Sequence, residues 1–195
     1  MDEYIFKQVD FDNPSFWFIL EDKLKWLVGG LFLYDPYFKT YELKGNERVL
    51  DFGCGGGAGS RSLLKILNKD GHLTSVDISR YWIDKTKKRL AGYDNVTCIE
   101  GDIRELDIPD SSFDVISVIH VIHDIAPVER KSVISVISQK LAKRGVVYIR
   151  EPVRKSHGIA IEELRALFDI SGLEEISYKI TKSEYIGAFQ KRVTL

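Results

Sequence analysis

The chain has 195 residues, which is the size of a single domain. Hydrophobic residues make up 44% and charged residues 29%, a composition that excludes an intrinsically disordered protein. Because 28 Lys and Arg residues face 29 Asp and Glu residues, the net charge of −1 argues against a protein that coats nucleic acid through its phosphates.

The ends and the cysteines of the chain indicate its compartment. Cys54 and Cys98 are too few for a disulfide framework or for a zinc site built from paired Cys-x-x-Cys motifs. The chain starts with acidic residues and has no arginine before Arg48, so neither a secretory signal nor a transit peptide is expected. Charged residues interrupt the apolar stretch 16–34, so no integral membrane association is expected. We therefore expect a cytoplasmic protein.

Residues 1–45 form an aromatic-rich leader. After Pro14 its apolar residues recur at helical spacing, which predicts an amphipathic helix that ends at Tyr34-Asp35-Pro36. The apolar positions are Phe16, Trp17, Ile19, Leu20, Leu24, Leu27, Val28 and Leu31. Packing against the core explains most of the leader's aromatic residues, and a lid over a planar substrate is the alternative.

From Arg48 onward, short β-branched runs alternate with helical periods. Strands are predicted at 48–52, 72–77, 96–100, 115–119 and 145–150, and helices at 59–68, 79–91 and 127–143. The nearly continuous apolar run 115–119 is typical of a parallel strand that is covered on both faces. This alternation predicts an α/β fold with a doubly wound, Rossmann-like sheet and helices on both faces.

The tail has a different pattern. After a helix at 159–170, strands are predicted at 176–181 and 185–193. The three residues between them are too few for a crossover helix, so these strands should form an antiparallel hairpin at one edge of the sheet. We expect seven strands in one domain of residues 1–195, made of the leader 1–45 and an α/β core 46–195 that binds a cofactor.

Five glycines stand where the first strand meets the next helix: Gly53, Gly55, Gly56, Gly57 and Gly59. Ligands of open α/β sheets bind at such loops, where glycine lets the backbone approach closely. The loop lacks the Gly-Lys-Ser/Thr sequence of a loop that binds nucleoside triphosphates. Its glycine spacing is compatible with a loop that binds a dinucleotide. Asp51, at the end of the strand, would repel a pyrophosphate and suits a cationic or amine-bearing ligand.

The loop resembles the first motif of the class I methyltransferases that use S-adenosylmethionine. Asp51, Gly53, Gly55 and Gly57 match acidic-x-Gly-x-Gly-x-Gly, and the resemblance covers roughly residues 47–151 and, more loosely, the hairpin. It implies that these residues and Cys54 bind S-adenosylmethionine, with S-adenosylhomocysteine as the product. It also implies an enzyme that moves a methyl group to an oxygen, nitrogen or other nucleophile of a small molecule by in-line displacement.

Further candidate cofactor residues follow the next strands. Asp77 can accept hydrogen bonds from both ribose hydroxyls, or it can cap the next helix, and the two roles are compatible. Asp102 bonds the adenine amine by resemblance, or it belongs to an ordinary polar turn. The resemblance adds Ile78 and Ile103 against adenine, and Ile119 and His120 at the methionine part of the cofactor.

Two histidines are the candidate catalytic residues. His120 and His123 lie where the fourth strand ends, and a neutral imidazole there can take a proton from an acceptor near neutral pH. Alternatively, they only line the pocket. A metal site is not predicted, because His120, His123 and Asp124 have no other ligand cluster to support them.

Two other function classes remain compatible with these patterns. One is a catalytically silent module that binds S-adenosylmethionine and regulates a partner. The other is an NAD(P)-dependent oxidoreductase with the same glycine loop. For the leading hypothesis the expected partner is a small-molecule methyl acceptor, with no nucleic acid.

Overall fold

The structure of the protein is a computed structural model that describes Tyr4, Phe6 and residues 9–192. The contacts between residues divide the chain into two compact units. Asp10–Asp102 is the N-terminal unit, and residues 103–192 with the described residues before Asp10 are the C-terminal unit. The single domain with a leader before residue 46 and a core after it stays a prediction.

Three parallel strands are the frame of the N-terminal unit. β1 (Arg48–Phe52) pairs with β2 (His72–Asp77), which pairs on its other side with β3 (Val96–Glu100). α3 (Ala58–Leu64) connects β1 to β2, and α4 (Arg80–Leu90) connects β2 to β3. The three strands are confirmed with the predicted bounds, and both helices are confirmed but are shorter. Since parallel strands end at one edge, the residues that follow them share that edge.

The start of α4 is defined by side chains close to β2. Ser79 is the N-cap, and its hydroxyl accepts a hydrogen bond from the backbone N–H of Trp82 at 3.3 Å. Three basic residues in the last turn (Lys87, Lys88 and Arg89) complement the partial negative charge of the helix C-terminus. Because Ser79 is its N-cap, α4 begins three residues after Asp77, the last residue of β2.

The leader is helical over a longer stretch than predicted. α1 (Phe16–Leu24) continues into a π-helical segment (Lys25–Tyr34), α2 (Asp35–Phe38) and a 3₁₀ turn (Lys39–Tyr41). The predicted break at Tyr34-Asp35-Pro36 is therefore wrong. Pro36 lies in the first turn of α2, where a residue needs no backbone N–H to continue the helix.

The apolar face of the leader is mostly exposed. Trp17 and Phe32 are each 74% exposed and Leu27 is 73% exposed, so core packing is the wrong explanation for these positions. Packing does explain the end of the leader, where Tyr37 and Phe38 are buried. None of the helices in the described part of the chain combines the length and the apolar composition that a membrane span needs.

The C-terminal unit mixes parallel and antiparallel pairing. Its described strands are β4 (Phe113–Ile119), β5 (Leu141–Arg154), β6 (His157–Gly158), β7 (Leu173–Ile180) and β8 (Glu184–Lys191). β5 pairs in parallel with β4 and antiparallel with β8, and β8 pairs antiparallel with β7. The short β6 folds back on the end of β5. α5 (Pro127–Lys140) joins β4 to β5, and α6 (Ile161–Ile170) precedes β7.

The α/β fold class and the antiparallel hairpin are confirmed. The described residues contain eight strands instead of seven, because the two-residue β6 is too short for a periodic signal. The helix predicted to reach residue 143 ends at Lys140, because Leu141 already pairs with Phe113 and is fully buried. Val193, the last residue of the predicted final strand, lies outside the described residues.

Candidate functional site

The glycine loop connects β1 to α3 and turns back towards β2. The backbone N–H of Gly53 donates to the carbonyl of Val76 at 2.8 Å, and that of Cys54 donates to the same oxygen at 3.1 Å. Gly55 has a φ of +50°, and a Cβ added there would meet nothing within 4 Å. The loop therefore presents bare backbone to an open space, which is the room that a ligand needs.

Asp77 lies directly beside this open position. One oxygen accepts a hydrogen bond from the N–H of Gly55 at 2.7 Å, and the other accepts one from the N–H of Ser79 at 2.9 Å. The residue is 9% exposed, and burial raises the pKa of Asp77. Ser79, rather than Asp77, caps α4. The neighbouring Ile78 is 63% exposed, which is unusual for an isoleucine in a core-forming region.

Asp51 is a buried carboxylate beneath the loop. The residue is 4% exposed, and its carboxylate accepts a hydrogen bond at 2.6 Å from the hydroxyl of Ser60. The Ser60 hydroxyl in turn accepts one from Ser75 at 3.0 Å. Burial raises the pKa of Asp51 to about 6, the Ser60 hydrogen bond opposes this, and the charge of Asp77 adds to it. At pH 7 the group is thus mostly ionised, and a cationic ligand would stabilise it.

The leader is tied to the outer side of the loop by a buried ion cluster that the sequence did not reveal. Asp22 accepts two hydrogen bonds from Arg89 (2.9 and 3.0 Å) and lies 2.6 Å from the ammonium of Lys85. Arg89 also donates to the carbonyl of Gly56 at 2.6 Å. A Cβ on Gly56 would lie 1.8 Å from a carboxylate oxygen of Asp22, so only glycine fits there.

An aromatic ring extends this attachment. The guanidinium of Arg61 lies 3.9 Å from the centroid of the Trp26 ring, and that of Arg89 lies 4.6 Å from it. Arg61 also donates a hydrogen bond to the carbonyl of Trp26. These contacts attach the π-helical segment to α3 and α4, the two helices that follow the cofactor motifs.

The remaining predicted residues of the N-terminal unit differ in character. Cys54 is buried, and burial raises the pKa of its thiol well above the ordinary value, which keeps it protonated. Gly57 ends the loop as the residue before α3, and Asp102 is half-buried beyond β3. These cofactor contacts stay predictions.

In the C-terminal unit, His120 stands at the end of β4 in an unusual conformation. Its φ of +56° lies in the left-handed region, where non-glycine residues are uncommon outside special sites. The ring Nε2 lies 2.9 Å from Glu184, which is held by two hydrogen bonds from Arg150 (2.9 and 2.8 Å). Partial burial lowers the pKa of His120, although nearby carboxylates oppose this effect. Ile119 and the fully buried Ile103 stay predicted cofactor contacts.

The tautomer of His120 follows from these partners. Although burial opposes it, the Arg150 guanidinium holds the pKa of Glu184 below its usual range, so Glu184 is an ionised acceptor. The Nε2 of His120 must then carry the hydrogen that it donates to Glu184. Its Nδ1 therefore keeps a lone pair that can accept a proton.

His123 has a more enclosed environment than sequence reasoning suggested. It is 6% exposed, and its Nδ1 lies 2.7 Å from Glu151, which is fully buried. Glu151 also accepts hydrogen bonds from the backbone N–H groups of Val121 (2.7 Å) and Ile122 (2.9 Å). Sequence reasoning missed Glu151, and its only signal was a charged residue near the end of an apolar strand.

A sequence comparison identifies the central part of the chain. Residues 49–145, close to half of the chain, match the sequence profile of the family described as "Methyltransferase domain". Demethylmenaquinone methyltransferases of several Staphylococcus aureus strains, among them JH9 and Newman, are 30% identical over 80 residues. The match covers 41% of this chain and 33% of the length of those relatives.

Solved structures show the same fold over most of the chain. A methyltransferase from Aquifex aeolicus that depends on S-adenosylmethionine superposes with a TM-score of 0.72, at 18% identity, over 86% of this chain and 94% of its own. A TehB-like methyltransferase from Corynebacterium glutamicum also gives a TM-score of 0.72, at 18% identity, over 89% and 96%.

A third structure contains the cofactor. It is the magnesium protoporphyrin IX methyltransferase of Synechocystis PCC 6803 with bound S-adenosylmethionine, with a TM-score of 0.68 at 14% identity over 93% of this chain and 88% of its own. At such identities the likeness concerns the fold, whereas the profile match concerns the sequence. Together they identify residues 49–145 as a methyltransferase domain and show that the chain has the fold of methyltransferases that depend on S-adenosylmethionine.

Proposed function

We propose that the chain methylates a small, largely apolar molecule and that Asp51, Gly55 and Asp77 hold the cofactor. The observation that carries the proposal is the buried carboxylate of Asp77 next to the open backbone of Gly55. S-adenosylmethionine supplies the electrophilic methyl group when it is bound. Membership of the methyltransferase family sets the NAD(P)-dependent alternative aside.

The chemistry of these residues fits the cofactor. Each carboxylate oxygen of Asp77 accepts one hydrogen bond from a backbone N–H and can accept a further one. This remaining capacity suits the two hydroxyls of a ribose. The exposed Ile78 offers an apolar surface for a flat base. An ionised, buried Asp51 suits the ammonium of the methionine part. Asp102 is proposed for the exocyclic amine of adenine.

We expect the affinity for S-adenosylhomocysteine to depend on pH through Asp51. Only the ionised carboxylate pairs with the ligand ammonium, so affinity is full well above pH 6 and falls as the pH drops through the pKa of about 6. Between pH 7 and pH 5 the loss should be roughly tenfold. Isothermal titration over this range measures it.

Asp51→Asn is the matched control for that experiment, since the amide oxygen can still accept from Ser60. The variant should bind more weakly at pH 7 and show a flat profile between pH 7 and pH 5. A wild-type profile that is equally flat would refute the assigned role of Asp51.

Two observations support an apolar acceptor. Large apolar side chains of the leader stay exposed, for example Trp17, Leu27 and Phe32. The relatives that match by sequence are named as methyltransferases of demethylmenaquinone, a quinone. The test is to incubate the protein with S-adenosylmethionine and hydroxyquinones, phenols and hydrophilic amines, and to measure S-adenosylhomocysteine. Turnover with only the hydrophilic compounds would contradict this acceptor class.

His120 is the proposed general base. It stays neutral at pH 7 because its pKa is lowered, and Glu184 orients it so that Nδ1 can accept a proton. With an acceptor that turns over, His120→Ala should lower kcat by about 10²–10⁴-fold. Activity of the wild-type protein should be lost as the pH falls below the ordinary histidine value of 6.5.

Glu184→Gln separates positioning from structure in this pair. The amide can still contact the ring but no longer favours one tautomer, so kcat should fall less than in His120→Ala and the pH profile should change. Full turnover by folded His120→Ala would show that alignment of the substrates suffices without a base.

A further inference from the structure

Three potential metal ligands converge within the C-terminal unit, on the turn after β4 and on the short β6. The Nε2 of His123 lies 3.1 Å from the Nε2 of His157 and 3.5 Å from a carboxylate oxygen of Asp124. All three ligand atoms lie within 4.8 Å of one another. His157 is 34 positions from His123 in the sequence, so the sequence alone did not predict the cluster.

The contact to Glu151 decides which atom of His123 faces this cluster. Glu151 is fully buried and accepts from two backbone N–H groups as well as from the ring Nδ1 at 2.7 Å. The Nδ1 of His123 therefore carries a hydrogen, and the Nε2 of the neutral ring keeps a lone pair that can bind a metal ion. A carboxylate that orients a histidine in this way is the usual outer partner of a metal-bound imidazole.

The two distances from the Nε2 of His123, to His157 and to Asp124, agree with a shared cation. Ligands bound at 2.0–2.2 Å to one tetrahedral or octahedral ion are about 2.9–3.5 Å apart. A hydrogen bond between the two imidazoles would also explain the 3.1 Å contact. That hydrogen bond would, however, place no positive charge between the carboxylate of Asp124 and the two neutral imidazoles. A cation bound among the three ligand atoms would supply that charge.

The turn that carries two of the ligands is held rigidly. Arg130 is 3% exposed and donates to the carbonyl of His123 at 3.1 Å and to that of Ile125 at 3.0 Å. Its remaining nitrogen pairs with Glu163 at 2.7 Å. A buried arginine therefore fixes one side of the turn and Glu151 fixes the other, which is the preorganisation that a metal site requires.

We propose that His123, His157 and Asp124 bind one divalent transition-metal ion of the zinc class. Two imidazoles and one carboxylate suit Zn²⁺, Fe²⁺, Co²⁺ or Ni²⁺ better than Mg²⁺ or Ca²⁺, which prefer oxygen ligands. Three protein ligands leave a coordination position for water, as in open zinc sites. This site shares no residue with the proposed cofactor residues Asp51, Gly55 and Asp77 or with the proposed base His120, so its Zn²⁺ titration can succeed or fail whatever the outcome of their tests.

The test uses the whole chain after removal of metals with a chelator. Zn²⁺ is titrated in competition with a chromophoric chelator, and Co²⁺ is added separately to record its visible absorption bands. The expected result is one equivalent of Zn²⁺ per chain and Co²⁺ bands that Zn²⁺ displaces. His157→Ala and Asp124→Asn should each weaken Zn²⁺ binding by about 100-fold or more, and Glu151→Gln by about 10–100-fold.

His72→Gln is the matched control, because this histidine is exposed and its ring lies 2.9 Å from the hydroxyl of Thr97, which is not one of the three ligands. Zn²⁺ binding should be unchanged in it. His157 is also exposed and lies on a two-residue strand, so its alanine variant should fold. The proposal is overturned if the wild-type chain binds no Zn²⁺ even when Zn²⁺ is in excess, or if folded His157→Ala and Asp124→Asn bind Zn²⁺ as tightly as the wild-type chain. It is also overturned if His72→Gln loses as much affinity for Zn²⁺ as these two variants do.

Discussion

Asp77→Ala is expected to weaken the binding of S-adenosylhomocysteine by about 100-fold. The variant removes the charged acceptor proposed for two ribose hydroxyls, and hydrogen bonds to charged groups contribute about 1.5–3 kcal/mol each. It also removes the acceptor for the N–H of Gly55, which shapes the open part of the loop. Isothermal titration calorimetry at pH 7.5 measures the change.

Two further variants make this result interpretable. Asp77→Asn keeps an acceptor of the same shape without the charge and should lose less affinity than the alanine variant. Asp84→Ala removes a carboxylate of α4 that is 52% exposed and should bind as wild type does. If Asp77→Ala has a wild-type thermal transition and wild-type affinity, the ribose contact is wrongly placed.

Asp22→Ala should destabilise the protein by about 3–5 kcal/mol, the largest loss of stability that we predict. The variant leaves Lys85 and Arg89 without their shared carboxylate partner, and both cations are mostly buried, with side chains 22% and 14% exposed. Removing one member of a buried ion cluster leaves an uncompensated charge, which costs several kcal/mol. Urea unfolding at equilibrium measures the change.

Glu21→Ala is the control next in sequence. Glu21 is 58% exposed and pairs with Lys25 at 2.8 Å across one helical turn, so its loss should cost less than about 1 kcal/mol. Equal free energies of unfolding for the two variants would mean that Asp22 does not hold the leader to the loop. The Asp22 variant should also bind the cofactor more weakly, because Arg89 loses the partner that positions it at Gly56.

The cofactor loop could be predicted because its determinants are local in the sequence. Gly53, Gly55 and Gly57 directly follow the strand Arg48–Phe52 at fixed offsets, and positive φ angles are observed at all three. The strands of the N-terminal unit were predicted with correct bounds for the same reason, since period and residue type are properties of neighbouring residues.

The rest of the candidate sites depends on contacts between distant residues. Asp22 pairs with Arg89 across 67 positions, and His123 meets His157 across 34, so no local pattern marks either pair. The exposed leader was predicted wrongly at Trp17, because apolar periodicity shows which residues share a face but not what covers that face. The helix continues past Pro36 because Pro36 lies within the first turn of α2, and the sequence pattern does not show where that turn begins.

The most direct test of the account is a crystal structure of the protein with S-adenosylhomocysteine. We expect the ribose hydroxyls on the carboxylate of Asp77, the ligand against the backbone of Gly55, and the ligand ammonium facing Asp51. A structure with the ligand bound elsewhere, or with the space beside Gly55 filled by the protein's own side chains, would contradict it.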